Sequence, residues 1–178
     1  MAAPQFLLLM VAAASMRIAL LTGQLTDPRI EVFKSRRELQ LRDGARVIKT
    51  YRVALGTNPV PAKQREGDRA TPEGRYFICN KNPRSKYHLS LGISYPGPSD
   101  ARRGLAAGLI SETEHEAILA AHAAGKVPPW NTRLGGEVFV HGSGSKTDWT
   151  LGCVAVENAD IEELYHLIPV GTPITIHP

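Results

Sequence analysis

Apolar and polar residues alternate along several stretches of the chain, which is the pattern of half-buried β-strands. The stretches are RIEVFK at 29–34, ELQLR at 38–42, RVIKTYRVAL at 46–55, HLSLGISY at 88–95 and the carboxyl-terminal segment 172–176. Asp43-Gly44, a tight-turn signal, separates the second stretch from the third and predicts a β-meander. Shorter apolar runs at 75–80, 137–140 and 154–156 predict three further strands.

Two segments change to the helical period. Ser111 opens the sequence S-E-T-E, a capping box with Glu114 at the third helical position, and the alanine-rich segment that follows ends at Gly125. Asn158 is the predicted N-cap of a second helix at 161–167, whose first turn is acidic. We therefore expect one mainly β domain, a β-sheet or sandwich, with a helical insertion at about 104–136, a short helix in the carboxyl-terminal half and a surface loop at 58–72.

The length of 178 residues suits one domain with a core of its own. Apolar residues make up 43% and charged residues 21%, so the composition excludes an intrinsically disordered chain, a polytopic membrane protein and a coiled coil. The 16 glycines and 13 prolines favour turns and short strands over a helical bundle.

The net charge of +4 is unevenly distributed. Residues 1–103 contain 18 Lys and Arg against 8 Asp and Glu, whereas residues 104–178 contain 3 against 9. A basic half attracts anionic polymers, although solvated strand faces explain the same charges. The chain has no arginine-rich run, zinc finger or aromatic ribonucleoprotein motif, so a nucleic-acid partner is not expected.

The amino terminus carries a short apolar run, FLLLMVAAA, at positions 6–14. Nine residues are too few to span a bilayer, so no stable membrane span is expected, and the small residues that follow fit the core of a secretory signal. No Lys or Arg precedes the run, which leaves open an uncleaved anchor, a buried strand or a start at Met16. We expect residues 1–22 to be an export leader, residues 23–178 to form the folded domain, and the protein to reach the periplasm or cell envelope.

Cys153 and His141 are the residues whose positions favour chemistry. Cys153 follows Gly152 at the start of a predicted strand, and His141 ends the predicted strand before it. Because one loop joins these strands, we expect them to be neighbours, so that the imidazole reaches the thiol. A buried structural cysteine and a structural histidine remain the alternative for each residue taken alone.

The other histidines and Cys79 carry weaker signals. His88 precedes an alternating strand and is a candidate for lining a cleft, whereas Cys79 is expected in the core. Two cysteines are too few for a disulfide framework or a thiolate zinc site, and no metal-binding histidine spacing such as H-E-x-x-H occurs. We expect neither a metal nor another cofactor.

The residues around this pair resemble a known family. Val140-His141-Gly142, followed by D-W-T-L-G-C-V-A-V at 148–156, is similar to the signature of the L,D-transpeptidase catalytic domain of YkuD type, in the form of its YafK-like branch. The similarity extends over segments 34–42, 53–56, 63–74, 88–96 and 170–176, nearly everything after the leader.

The resemblance implies a cysteine acyltransferase that acts on peptidoglycan. Cys153 would attack the diaminopimelate carbonyl of a stem peptide to form a thioester, and His141 would move the proton. Backbone N–H groups of Gly152 and Cys153 would form the oxyanion hole, while Thr150 and the Gly142 carbonyl would orient the imidazole.

One position departs from the family pattern, because Ala155 stands where many members have an arginine that can hold a substrate carboxylate. The candidates for substrate contacts are charged or aromatic residues elsewhere: Arg133, Lys146, Trp149, Arg84, Lys86, His88 and Trp130. Trp130 lies in the insertion, which forms either a cleft wall or a cover for one sheet face.

The resemblance leaves the reaction's outcome open. The acceptor of the acyl group is an amine in a transpeptidase and water in a hydrolase that releases a lipoprotein attached to peptidoglycan. A peptidoglycan-binding module without activity, and an intracellular thiol hydrolase if the leader is spurious, are the further alternatives.

Overall fold

The computed structural model describes residues 25–178, so the leader predicted at 1–22 lies outside the described residues. Eight strands and three helices form in this region. The strands are β1 (Pro28–Phe33), β2 (Glu38–Asp43), β3 (Arg46–Arg52), β4 (Gly74–Ser85), β5 (His88–Ile93), β6 (Phe139–His141), β7 (Val154–Ala155) and β8 (Pro173–His177). The helices are α1 (Pro98–Ala106), α2 (Glu112–Ala123) and α3 (Asn158–Leu167). The predicted mainly β fold with a helical insertion and a short later helix is confirmed.

All eight strands belong to one curled sheet with the order β3-β2-β1-β8-β4-β5-β6-β7. The pairs β1–β8 and β6–β7 are parallel, and the remaining neighbours are antiparallel. The two ends of this order meet beyond β3, where Ala54 and Ala155 exchange two backbone hydrogen bonds of 2.8 Å. The curl therefore brings the segment after β3 against β7, which immediately follows Cys153.

The core follows from the alternation of the strands. Ile30 and Val32 of β1 and Leu39 and Leu41 of β2 are fully buried, whereas the residues between them are more exposed. Helix α3 packs against the same core. Burying an aliphatic side chain of this size contributes about 1.5–3 kcal/mol, so the sheet's inner face supplies the main driving force for the fold.

The helical insertion has a small apolar cluster of its own, formed by Ala101, Ile110, Ile118 and Leu134. Helix α2 begins after Ser111 with the predicted capping box, in which Glu114 N–H donates to Ser111 Oγ at 3.2 Å. Helix α1 is absent from the sequence expectation, because its start at Gly97-Pro98 has the composition of a loop.

One local expectation is wrong. Asn158 is the first residue of α3 and does not cap it, because its side-chain oxygen accepts from the Ser143 N–H at 2.8 Å. The segment 58–72 is a loop with mostly exposed or half-buried residues, as expected, but Lys63, Ala70 and Thr71 within it are buried. Within residues 25–178, no helix is long and apolar enough to cross a membrane.

Candidate active site

Cys153 lies in a cleft of about 810 Å³ at the edge of the sheet, and His141 lines the same cleft. Val140 pairs with Val154 in the parallel register of β6 and β7. His141 follows Val140 directly, and Cys153 directly precedes Val154. Successive side chains of a strand point to opposite faces, so both face away from the side on which that buried pair lies. The structure therefore brings the predicted pair into one cleft.

The turn that carries Cys153 is held by Thr150. The Thr150 hydroxyl donates to the Cys153 carbonyl at 2.8 Å and accepts from the Gly152 N–H at 3.1 Å. Gly152 has a φ of +135°, a conformation that strongly favours glycine. Thr150 thus shapes the cysteine turn, and neither bond of its hydroxyl goes to the imidazole that it was expected to orient.

The backbone of the segment after β3 supports this turn through Leu55. The N–H groups of Trp149 and Thr150 both donate to the Leu55 carbonyl at 3.1 Å. Asp148 accepts from the Leu55 N–H at 2.9 Å and forms an ion pair with Arg37, in which Nη2 lies 2.7 Å from Oδ2. The segment after β3 and the turn after β1 therefore fix the start of the D-W-T-L-G-C motif.

His141 is held in one orientation. Its Nδ1 lies 2.7 Å from the Gly142 carbonyl oxygen, and since a carbonyl only accepts, Nδ1 carries the proton. The ring stacks on Tyr87 with centroids 4.5 Å apart and meets the Trp149 ring edge-on at 5.5 Å. In the neutral imidazole, Nε2 is left with a lone pair that can accept a proton.

Burial shifts the pKa of both members of the pair toward the uncharged form. It raises the pKa of Cys153 to about 11, against the opposing influence of the Phe139 N–H and of Lys63. Burial also lowers the pKa of His141, although the hydrogen bond to Gly142 works in the other direction. The thiol faces the Glu137 carbonyl, with Sγ 3.7 Å from the oxygen. Burial therefore disfavours both the thiolate and the imidazolium in this cleft.

The predicted substrate contacts divide into two groups. Lys86, Trp130 and Trp149 line the cleft. The others are not part of its lining: Arg84 and Arg133 are exposed elsewhere, Lys146 lines a neighbouring hollow of about 450 Å³, and His88 pairs with Glu162 at 2.7 Å. Their assignment to the substrate therefore finds no support in the cleft.

Several residues of the cleft were absent from the sequence expectation. Lys63 and Arg69 supply cations from the segment before β4, and Tyr87 supplies the ring under His141. The segment 63–74 matched the family, which was the available signal for the two cations. Nothing in the local sequence marks Tyr87 as a partner of a histidine 54 positions later.

Cys79 is buried in β4, where burial raises its pKa to about 11. It forms no disulfide. Among residues 25–178, no group of three or more histidines, cysteines or carboxylates is arranged to hold a metal ion.

The fold and the cleft together define a mainly β domain with a cysteine and a histidine at one sheet edge. A family model described as the L,D-transpeptidase catalytic domain, YkuD, matches residues 27–176, so the chain belongs to this family. L,D-transpeptidases act on the peptidoglycan of the cell wall, and the family is thus consistent with an envelope protein.

Among curated proteins, the chain is similar to YafK of Escherichia coli K12, which carries the provisional name of an L,D-transpeptidase. The two are 28% identical over 81 residues, which are 42% of this chain and 33% of YafK. The match thus spans about a third of the relative's length.

Solved structures share the fold. Pgp2, a helical cell shape determining protein of Campylobacter jejuni, is 20% identical with a TM-score of 0.56, over 91% of this chain and 54% of Pgp2. Bd1075 of Bdellovibrio bacteriovorus is 23% identical with a TM-score of 0.54, over 85% of this chain and 48% of Bd1075. An L,D-transpeptidase of Xylanimonas cellulosilytica is 17% identical with a TM-score of 0.51, over 88% of this chain and 63% of that protein.

Proposed function

We propose that the protein is a peptidoglycan-directed cysteine acyltransferase of the cell envelope, with Cys153 as nucleophile and His141 as the proton-transfer residue. The observation that carries the proposal is their shared cleft, in which His141 has Nδ1 fixed on Gly142 and Nε2 available as a base.

In the first step, the Cys153 thiol loses its proton to Nε2 of His141 as Sγ attacks the diaminopimelate carbonyl of a stem peptide. The bond from that carbonyl carbon to the nitrogen of the terminal D-amino acid then breaks, and the leaving nitrogen takes the proton from the imidazolium. The products are a thioester on Cys153 and a free D-amino acid.

In the second step, an acceptor amine loses a proton to His141 and attacks the thioester, which returns the thiol and forms a new amide. Water in place of the amine yields a shortened stem peptide, and the same reaction on a stem linked to a lipoprotein would release that lipoprotein. The dyad performs the same proton transfers in each case, so the acceptor decides between transferase and hydrolase.

The carbonyl oxygen becomes an anion in both steps and needs a hydrogen-bond donor. The Gly152 N–H is occupied by Thr150, whereas the Cys153 N–H makes no hydrogen bond to another residue of segment 25–178. We assign the Cys153 N–H to the oxyanion. One such donor contributes about 3–4 kcal/mol to transition-state stabilisation in other acyl-transfer enzymes.

Product analysis tests the proposal. The protein is incubated with a disaccharide-tetrapeptide, and released D-alanine and muropeptides are measured by liquid chromatography and mass spectrometry. We expect D-alanine release, with cross-linked dimers for an amine acceptor or tripeptide alone for water, and neither from Cys153→Ala or His141→Gln. Tetrapeptide that binds but stays intact would refute the enzyme and favour a binding module.

A further inference from the structure

Lys63 is a buried cation in the wall of the cleft. The residue is 4% exposed and lies between β3 and β4, in the segment that borders the turn of Cys153. Its ammonium donates to the Arg65 carbonyl and to Asp68 Oδ1, both at 3.0 Å. An ammonium has three N–H groups, and the third has no acceptor among the described residues.

The ammonium lies close to the turn that carries Cys153. A Cβ built on Gly152 would be 4.0 Å from Lys63 Nζ, and Gly152 directly precedes Cys153. After burial and the Phe139 N–H, Lys63 has the largest influence on the pKa of Cys153, ahead of Lys86. Lys63 is thus the cation with the largest effect on the pKa of the Cys153 thiol.

Asp68 neutralises the Lys63 ammonium only in part. Its carboxylate also accepts from the backbone N–H groups of Gln64 at 2.7 Å, Arg65 at 3.0 Å and Ala70 at 3.1 Å. These donors share in neutralising the carboxylate, which therefore does not consume the whole charge of Lys63. Asp68 itself does not line the cleft, whose carboxylates are Glu66 and Glu137.

Helix α1 fixes the backbone of Lys63 through Arg103. Arg103 of α1 donates to the Lys63 carbonyl at 3.0 Å and to Asp100 Oδ1 at 2.9 Å. Asp100 is 3% exposed, and its other oxygen accepts from the Tyr76 hydroxyl at 2.9 Å. These contacts fix the backbone of Lys63, and its side chain is held by the Arg65 carbonyl and Asp68, so little rotamer entropy remains to be lost on binding.

Position 155 supplies no cation to the cleft. Ala155 is fully buried, and its backbone is paired with Ala54 in the contact that closes the sheet. Arg69 and Lys86 also line the cleft, but both are exposed, and water screens an exposed cation more than a buried one. Lys63 is the cleft cation with a fixed position and a low-dielectric setting.

We propose that Lys63 is a substrate-binding residue whose ammonium holds a carboxylate of the stem peptide beside the carbonyl that Cys153 attacks. The inference rests on the proposed function for the identity of this ligand. Two carboxylates of a tetrapeptide stem lie on the residues that this carbonyl joins, one on the terminal D-alanine and one on the D-centre of diaminopimelate.

Binding to the Cys153→Ala protein tests the inference without turnover. Isothermal titration calorimetry compares the free-acid disaccharide-tetrapeptide with two derivatives, one amidated at the terminal carboxyl and one at the D-centre. We expect one of the amides, which identifies the carboxylate, to bind at least about tenfold more weakly, because a charge-assisted hydrogen bond in a buried site is lost.

A double-mutant comparison assigns the effect to the lysine. In Cys153→Ala/Lys63→Met, the free acid should bind as weakly as the weaker-binding amide binds to Cys153→Ala. Amidation of the ligand should have no further effect on its binding to this double variant. Lys126→Met in the same background is the matched control, since Lys126 is exposed after α2, outside the cleft lining. The control should retain the wild-type preference for the acid.

Three results would overturn the inference: equal binding of the acid and both amides, an unchanged acid preference in the Lys63→Met variant, or no binding of the acid. D-alanine release by the wild-type protein would still support the proposed function in each case. If Lys63→Met does not fold, NMR of ¹⁵N-lysine-labelled Cys153→Ala protein takes the place of the binding measurement on the double variant. The quantity measured is then the chemical-shift change of Lys63 Nζ when ligand is added. The acid should shift that resonance and the weaker amide should not; equal shifts would refute the role.

Discussion

Substitution of Gly56 tests how closely the segment after β3 must approach the turn that carries Cys153. A Cβ at this position would lie 2.0 Å from the Arg69 carbonyl oxygen and 3.2 Å from the Gly152 Cα. Gly56 does not have a positive φ, so alanine is free of backbone strain there. The substitution Gly56→Ala therefore inserts one methyl group between two backbone segments and changes little else.

The size of the effect follows from this geometry. Non-bonded Cβ contacts below 3.0 Å essentially do not occur, so the segments must separate by about 1 Å. Overpacking of this kind costs about 1–3 kcal/mol, and the rigid backbone on both sides favours the upper end. Arg69 adjoins Ala70, whose carbonyl oxygen borders Gly152, so this shift reaches Cys153. A displacement of about 1 Å at a reacting group lowers rates about 100-fold.

Urea unfolding and D-alanine release from the disaccharide-tetrapeptide measure the two effects. We expect a loss of about 3 kcal/mol in the free energy of unfolding and about 100-fold in rate. Gly108→Ala is the control: with φ +64° and no atom within 4 Å of the new Cβ, it should cost about 1 kcal/mol and leave the rate unchanged. A Gly56→Ala protein with wild-type stability and rate would refute the close-approach argument.

Two further predictions concern charge. In a Cys79→Ala background, the rate of Cys153 alkylation by iodoacetamide should rise about tenfold per pH unit from 7 to 10, because burial raises the thiol's pKa to about 11; a plateau near pH 7 would instead show a preformed thiolate. Asp148→Asn should lower the free energy of unfolding at pH 7 by about 1–2 kcal/mol, discounted for partial exposure of the Arg37 ion pair. Burial raises the pKa of Asp148, but its bonds to Arg37 and Leu55 together lower it by more. The stabilisation is therefore present above the unfolded pKa of about 3.9 and is lost as pH falls through the lower folded value. Urea unfolding at pH 7 and pH 3 checks this, and an unchanged difference at pH 3 would contradict it.

Local pattern was sufficient for most of the fold. The alternation around Ile30 and Leu41 predicts the strands because one face of the sheet is buried, and the Ser111 capping box predicts α2 because its hydrogen bonds are local. Helix α1 could not be found this way. Its proline and glycine start looks like a loop, and its stability comes from packing against Leu134, about 30 positions away.

The candidate site was predictable where its residues are joined by a short loop. His141 ends β6 and Cys153, twelve positions later, directly precedes the neighbouring strand β7, so their convergence follows from the strand pattern. Arg37 and Asp148 are 111 positions apart, and only the curl of the sheet brings them together. The same holds for Lys63, whose place beside Gly152 depends on tertiary contacts that the sequence does not display.

Intact-mass spectrometry of the protein during reaction with the disaccharide-tetrapeptide tests the central claim most directly. After an acid quench, the account predicts a mass increase equal to the tetrapeptide muropeptide minus D-alanine, located on Cys153 by peptide mapping. Hydroxylamine should remove it, as expected of a thioester, and Cys153→Ala should not acquire it. D-alanine release without an adduct on Cys153, or release that persists in Cys153→Ala, would contradict the account.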